Sequence, residues 1–569
     1  MKIKLQLSAL LIALFTGSVS HAQAVSKQYE IATFPQLETM QAAVKPAGPE
    51  WMNTASFYEI YPQTYCDTNG DGIGDLKGII SKLDYVKSLG VDAIWLNPFY
   101  VSPFRDAGYD VADYYHVDPR YGTDQDAKDL FRIAKEKGLR IIIDFVPGHT
   151  SIEHPWFKAS CSPLPNKYSN WYIWTNATWF DGSDKYKENF IQGYCDRDGN
   201  FMTNFFYHQP ALNYGWGKPD PKQPWQLSVN HPDVLALKAE MKNVMKYWLD
   251  MGCSGFRVDM AGSLVKNDPD GSIKLFWQDV RTMLDTQYPD AFMVSEWSSP
   301  NDAVKAGFHA DFMHWFGSYN DLFALNVSYF RASGQGNICH FLDDYLYQYE
   351  FTKGKGYISL PTGNHDISRI NNDGRDQRDL EIIQVFAFTM PNMPFIYYGD
   401  EIGMKQLDTK IAREGAYGSR AGARTPMQWD DKKNHGFSTA PFDKVYLPYD
   451  TTNLAPTVLI QQKNAASLLN FFRKVVKLHK FEPALSNYAA FVPVYAQKDK
   501  YPFIFLRILG NEKVLVVLNP SDKPAIANIK GEIKGIRKVL IGTSPDWKVN
   551  EGSTQIQIAA KSYSVIKIK

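Results

Sequence analysis

Cysteine is scarce. The 569 residues hold five, at 66, 161, 195, 253 and 339. So odd and low a count does not describe a disulfide-stapled scaffold, and none of the spacings is that of a zinc site. Cys161 and Cys195 fall in one loop-rich segment and can pair, while Cys253 and Cys339 read as small buried apolar residues. Net charge is also missing: 61 Lys+Arg stand against 61 Asp+Glu. That balance gives no electrostatic case for nucleic acid or an anionic membrane as partner. The apolar run Ala9–Phe15 is too short to span a bilayer, so no membrane insertion is expected. Lys2 and Lys4 precede it, and Gly17-Ser18-Val19-Ser20-His21-Ala22 follows it. The layout is that of a cleavable signal peptide over 1–22, which predicts a secreted or periplasmic protein. No cysteine lies near the cut to carry a lipid.

Aromatics are plentiful at 14%. They suit sugar stacking and core filling equally. Residues 23–50 are polar and read as an arm or linker. From 57 onward strands and helices alternate. Phe57–Tyr65, Val91–Leu96, Arg140–Asp144, Gly255–Asp259, Ala291–Glu296, Tyr357–Pro361 and Pro394–Tyr398 read as strands. Helical stripes run through Leu76–Leu89, Ala127–Ala134 and Val234–Trp248. Repeated βα units predict an α/β fold, a (β/α)8 TIM barrel over 51–484. The aromatic, Pro- and Gly-rich stretch at about 150–228 is too long for a bare loop and reads as an inserted subdomain after the third strand. Short alternating strands over 485–569, such as Lys513–Leu518 and Ser562–Ile568, predict a C-terminal antiparallel β domain.

A barrel of this kind does its chemistry at the C-terminal strand ends. There the sequence reads Asp144 then His149, Arg257 then Asp259, Glu296, and His365-Asp366. Gathering several acids in one mouth raises their pKa values and costs stability unless they are used. Such a set suits glycoside cleavage. One carboxylic acid protonates the leaving oxygen, and a second carboxylate roughly 5 Å away traps the sugar carbon, with retention. Arg257 shares a strand face with Asp259 and can keep it ionised.

Four segments, Asp144-Phe-Val-Pro-Gly-His149, Gly255-Phe-Arg-Val-Asp259, Val294-Ser-Glu296-Trp and Gly363-Asn-His-Asp366, resemble the signature regions of the α-amylase superfamily, glycoside hydrolase family 13. The stretches around Ala107-Gly-Tyr-Asp110, Pro394–Gly403 and Ala423-Arg-Thr-Pro-Met-Gln-Trp429 are similar to others of its segments. The resemblance implies Asp259 as nucleophile, Glu296 as acid/base and Asp366 as transition-state stabiliser. It implies Asp110, His149, Arg257, His365 and Arg424 as the pocket for a terminal glucose, with Arg420 a rival to Arg424. The closest likeness is to the oligo-1,6-glucosidase and α-glucosidase group, which implies exo-action on a short α-gluco-oligosaccharide. Glucosyl transfer or isomerisation, of the trehalose synthase or sucrose isomerase type, and endo-amylase action are the alternatives. Ala211, Met260 and Ile367-Ser-Arg369 depart from the group's pattern and leave the linkage open.

Asp67-Thr-Asn69-Gly-Asp71-Gly-Ile-Gly-Asp75 carries oxygen donors at alternate positions with glycines between, as calcium loops do, though an Asp/Gly-rich turn without metal reads the same way. The resemblance implies one structural Ca2+ held by Asp67, Asn69, Asp71, the Ile73 carbonyl and Asp75. Trp171, Trp174 and Trp179 can stack sugars or pack the insert, and His208, Asn213 and Trp216 can border the cleft. A monomer or small homo-oligomer is expected.

Overall fold

The computed structural model describes residues 30–569 except 38, 39, 41, 180–188, 315, 316, 324–327, 332–335, 373, 410, 412, 417 and 453. The segment read as a signal peptide lies outside the described residues, as does the arm up to residue 29.

Eight parallel strands form a nearly closed barrel: β1 (Phe57–Ile60), β2 (Ala93–Leu96), β3 (Arg140–Phe145), β4 (Gly255–Val258), β5 (Phe292–Ser295), β6 (Ala310–Phe312), β7 (Tyr357–Ser359) and β8 (Phe395–Tyr397). Their order is β7-β6-β5-β4-β3-β2-β1-β8. The seam between β7 and β8 is stitched by Met393 N–H to the Ile358 carbonyl (2.9 Å) and Leu360 N–H to Asn392 Oδ1 (2.6 Å). This is the (β/α)8 architecture that the strand–helix alternation predicts. Around it pack α1 (Leu76–Ser81), α2 (Leu83–Leu89), α3 (Asp124–Glu136), α4 (Pro232–Met251), α5 (Ser272–Gln287), α6 (Pro300–Lys305), α7 (Ile338–Thr352), α8 (Gln377–Thr389) and α9 (Leu468–Phe481).

The barrel interior is filled by Phe57, Trp95, Ile142, Val294, Phe312 and Phe395, all buried. Phe57 stacks on Phe395 at 4.2 Å, and Phe312 meets Phe395 edge-on at 4.8 Å. Strand side chains alternate, so residues two places further on leave from the same face. Those residues are Glu59, Asn97, Asp144, Glu296 and His314, and Arg257 with Asp259 joins them from β4. The apolar plug therefore carries a polar layer at the C-terminal mouth. Gly255 opens β4 at φ 133°, where an added Cβ would lie 1.9 Å from the Phe292 carbonyl oxygen, so the neighbouring strand can approach only a glycine.

Three local readings change. The first strand stops at Ile60 because Pro62, lacking an N–H, opens a 3-10 turn over Pro62–Thr64. The apolar stripe from Leu76 to Leu89 is two helices, parted at Lys82 (φ −107°, ψ 4°). The sixth barrel strand, Ala310–Phe312, goes unread in the sequence, since three residues are too few for an alternating pattern.

Between β3 and α4 the insert contains the short helix Pro155–Ser160 and a hairpin of Phe190–Ile191 with Phe201–Met202. It has a small core of Ile173, Met202, Ala211, Trp216 and Trp225. Ala211 thus packs among apolar side chains where the resembling group has an acid. Trp171 and Trp174 are buried in packing, whereas Trp179 is 94% exposed. Cys161 and Cys195 are neighbours here, thiol to thiol and unbridged. The C-terminal strands are β9 (Ala490–Ala496), β10 (Phe503–Leu509), β11 (Glu512–Asn519), β12 (Ala525–Lys530), β13 (Ile536–Gly542), β14 (Asp546–Asn550), β15 (Ser553–Ile558) and β16 (Ser562–Ile568). They make antiparallel sheets of order β9-β10-β11-β16-β13 and β12-β15-β14, with Ile31–Ala32 of the arm added to the β9 edge. Val494, Ile504, Leu506, Leu515 and Val517 share one core with Ala527, Ile529, Ile556 and Ile558. No described helix is long and apolar enough to cross a membrane.

Candidate active site

Arg257 organises the mouth. Its guanidinium is 1% exposed and meets three carboxylates. Nη1 donates to Asp144 Oδ1 and Asp259 Oδ1, both at 2.8 Å, and Nη2 lies 2.6 Å from Glu296 Oε2. Asp144 also accepts from the Trp95 indole N–H (3.0 Å) and the Tyr109 hydroxyl (2.9 Å). Burial pushes the Asp144 carboxyl up to about 6 even with Arg257 beside it. Burial likewise holds Asp259 well above the ordinary carboxyl range; Arg257 opposes that rise, and the charges of Glu296 and Asp144 add to it. Glu296 is also buried, but Arg257 and His314 outweigh the burial and hold it below its usual range. The two carboxyls are thus pushed in opposite directions, Asp259 upward and Glu296 downward.

Across the mouth, Asp366 Oδ1 accepts from Arg424 Nη2 (2.8 Å) and lies 3.1 Å from Arg420 Nε. Burial opposes its charge, but Arg420 and Arg424 hold it ionised far below the usual range. Arg424 is fully buried and also donates to the His365 carbonyl (2.7 Å). Arg420 is the more open of the two. It lies over the Phe205 ring and points Nη1 toward Asp106 at 3.8 Å.

The two histidines serve as neutral scaffolding. Burial lowers both to about 3. His149 Nε2 donates to the Tyr109 carbonyl (3.1 Å), which leaves Nδ1 to accept from Asn204 Nδ2 (3.0 Å). His365 meets Glu59 Oε1 through Nδ1 (2.7 Å) and the Tyr109 hydroxyl through Nε2 (2.7 Å). Met260, directly after Asp259, adopts a left-handed backbone (φ 44°) that is rare for a side chain of its size. Its sulfur receives Asn204 Nδ2 at 3.6 Å, so this position sits between the acids and the insert.

Asp144, Arg257, Asp259, Glu296, His365, Asp366 and Arg424 therefore converge, with His149 at the insert side. Asp110 does not join them. Its carboxylate turns into its own loop, accepting from Ser102 Oγ and from the backbone N–H groups of Asp106 and Arg105, each at 3.0 Å. Burial first of all raises it to about 7. Asp106, four residues earlier, faces the arginines instead and is fixed by Gln209 Nε2 at 2.8 Å. Asp106, Glu59, Tyr61, Tyr109 and His314 are the residues that sequence reading passed over. For Glu59 the signal is in the sequence, since it lies two places beyond Phe57 on a readable strand, whereas His314 follows the three-residue strand that the sequence does not show.

The loop at 67–75 folds on itself. Asp67 accepts from the backbone of Asn69, Gly70 and Gly72 and from the Ser438 hydroxyl, while Asp75 accepts from Thr68 and Gly78. Asn69 and Asp71 accept from the N–H groups of Asp71 and Ile73. The donor chemistry, all oxygen, fits a hard cation. Among the described residues no group of three or more His, Cys, Asp or Glu is drawn together as a metal centre.

A parallel barrel whose mouth presents three acids on one guanidinium, and a fourth on a pair of arginines, suits a glycoside hydrolase of the barrel type. The α-amylase catalytic-domain model matches residues 59–487, and the chain belongs to that family. It is 28% identical to the oligo-1,6-glucosidase of Parageobacillus thermoglucosidasius, over 91% of this chain and 99% of that one. It is 30% identical to the trehalose synthase/amylase of Mycobacterium tuberculosis, over 78% of each. The solved isomaltulose synthase of Erwinia rhapontici NX5 superposes with a TM-score of 0.76 at 26% identity, covering 92% of this chain and all of that one.

Proposed function

We propose that the protein is a retaining α-glucosidase of short α-linked gluco-oligosaccharides. The observation that carries this reading is the single Arg257 guanidinium joining Asp259 to Glu296, with Asp366 held ionised opposite. Asp259 attacks the anomeric carbon, and Glu296 protonates the leaving oxygen, then takes a proton from water to release the sugar. Asp366 stabilises the positive charge that develops between them. Two carboxylates on one guanidinium suit the close spacing, about 5 Å, that retention needs. Chemistry requires Asp259 ionised and the proton on Glu296, a state that a tighter Arg257–Asp259 contact and a looser Arg257–Glu296 contact favour.

Exo-action is supported by the mouth's far wall, where Arg420 spans Asp366 and Asp106 and leaves room for a terminal unit rather than a through-going chain. A second reading is favoured by the relatives. Trehalose synthase matches over 78% of this chain and isomaltulose synthase over 92%, beside 91% for the oligo-1,6-glucosidase, so transfer of the glucosyl group to a sugar instead of water is the alternative. The loop at 67–75 is proposed to hold one calcium through Asp67, Asn69, Asp71, the Ile73 carbonyl and Asp75, where the ion would tie the loop after β1 to the barrel. The basic and apolar pattern of residues 1–22 supports export.

Maltose, isomaltose, trehalose, sucrose and starch, each incubated with the enzyme, decide between these readings. Glucose released first as the α-anomer from a disaccharide supports the proposal. An isomeric disaccharide as main product selects the transferase reading. Rapid loss of starch viscosity with little glucose overturns exo-action.

A further inference from the structure

Asp311 lies in the middle of β6, fully buried, beside chemistry that does not use it. β5 and β6 pair with Ser295 opposite Asp311. Its neighbours Ala310 and Phe312 fill the barrel interior, so Asp311 faces the outer side of the sheet. There Oδ1 accepts from the Ser295 hydroxyl (2.6 Å) and the Trp297 N–H (3.0 Å), and Oδ2 accepts from the Ser299 N–H (2.8 Å). These three donors bracket Glu296 in sequence. Between them Ser298 sits at φ 58°, a left-handed conformation that non-glycine residues rarely adopt. Ser299, the residue before α6, donates its hydroxyl to Asp302 and its N–H to Asp311, so the turn is held from the helix and from the adjacent strand at once. A strained turn persists only where its surroundings over-determine it. Here one carboxylate on the adjacent strand ties the turn at three points.

We infer that Asp311 is a positioning residue for Glu296, fixing through Ser295, Trp297 and Ser299 the turn that aims this carboxyl at the leaving oxygen. The inference rests on Glu296 as the acid/base, so the experiment includes that residue. Asp311→Ala, Asp311→Asn and Glu296→Gln are compared with wild type by kcat/KM on maltose and on 4-nitrophenyl α-glucoside, whose leaving group needs little protonation. A misaimed acid costs on the order of 100-fold. Asp311→Ala is expected to lose about that on maltose and under ~5-fold on the aryl glucoside. Asp311→Asn keeps Oδ1 for Ser295 and Trp297 but turns an amide toward the Ser299 N–H, so it should recover part of the loss. Equal losses on both substrates, or none, in Asp311→Asn overturn the positioning role, and that variant decides alone if the alanine form does not fold. Glu296→Gln that treats both substrates alike overturns the acid assignment itself. Glu296→Gln that discriminates between them while both Asp311 variants do not overturns only the role of Asp311.

Discussion

Replacing Arg257 by Met tests whether one cation holds the mouth together. The substitution keeps much of the volume and leaves Asp144, Asp259 and Glu296 buried without their shared partner. Breaking a buried ion pair by removing one member costs roughly 3–5 kcal/mol, since the surviving charge has neither water nor counter-ion. At about 2.1 cal/mol/K per residue, the matched barrel of residues 59–487 has an unfolding entropy near ~0.9 kcal/mol/K, so ~4 kcal/mol lowers Tm by about 4–5 °C. The acids can escape part of that cost by binding protons, which gives the loss a direction in pH. Burial already lifts Asp144 to about 6, and raises Asp259 well above its ordinary range, while Arg257 is present. Without the cation all three carboxyls keep their protons in the folded protein to a higher pH than in the unfolded chain, where they ionise near pH 4. The folded state then binds more protons, so the variant is least impaired at acid pH and loses stability as pH rises. Thermal melts at pH 5, 6, 7 and 8 should show the deficit against wild type widening with pH. A deficit that is constant, narrows, or is absent would refute the argument. Arg257→Lys should fall between, because one ammonium cannot reach three carboxylates at once.

Asp259→Asn should cut turnover by several orders of magnitude with little change in Tm, because Asn matches the native group in size; activity within tenfold of wild type contradicts the nucleophile assignment. Asp106→Ala should lower kcat/KM on disaccharides about 100-fold with little change in Tm, and Asp110→Ala should do the opposite, losing roughly 2–3 kcal/mol of stability as its loop donors go unpaired. Kinetics and melts on the two variants side by side check this, and a reversed pattern restores Asp110 to the pocket. Removing calcium with a chelator should lower Tm and leave kcat nearly unchanged, because binding to the folded state alone stabilises by mass action. No metal in the purified protein, together with an unshifted melt, removes the loop as a site.

Much of this molecule is determined by sequence because its signals are local. Apolar runs such as Ile141-Ile142-Ile143 cannot be mistaken for exposed strands, and the acids follow such runs within a residue or two, so Asp144, Asp259 and Glu296 declare themselves. Strand periodicity fixes which face each takes, and chain order fixes that all lie at one end of the barrel. What tertiary structure alone decides is which groups share a partner. Nothing in the spacing of Arg257 shows that one guanidinium serves three acids from three strands, or that Asp259 is pushed up and Glu296 down, since both depend on burial and on distances across the barrel. Asp106 and Asp110 look alike in sequence, and only the loop's own hydrogen bonds turn one inward to the arginines and the other back on itself. Asp311 is the extreme case. It sits in a three-residue strand too short to be read, and its meaning comes wholly from the turn on the neighbouring strand that it holds.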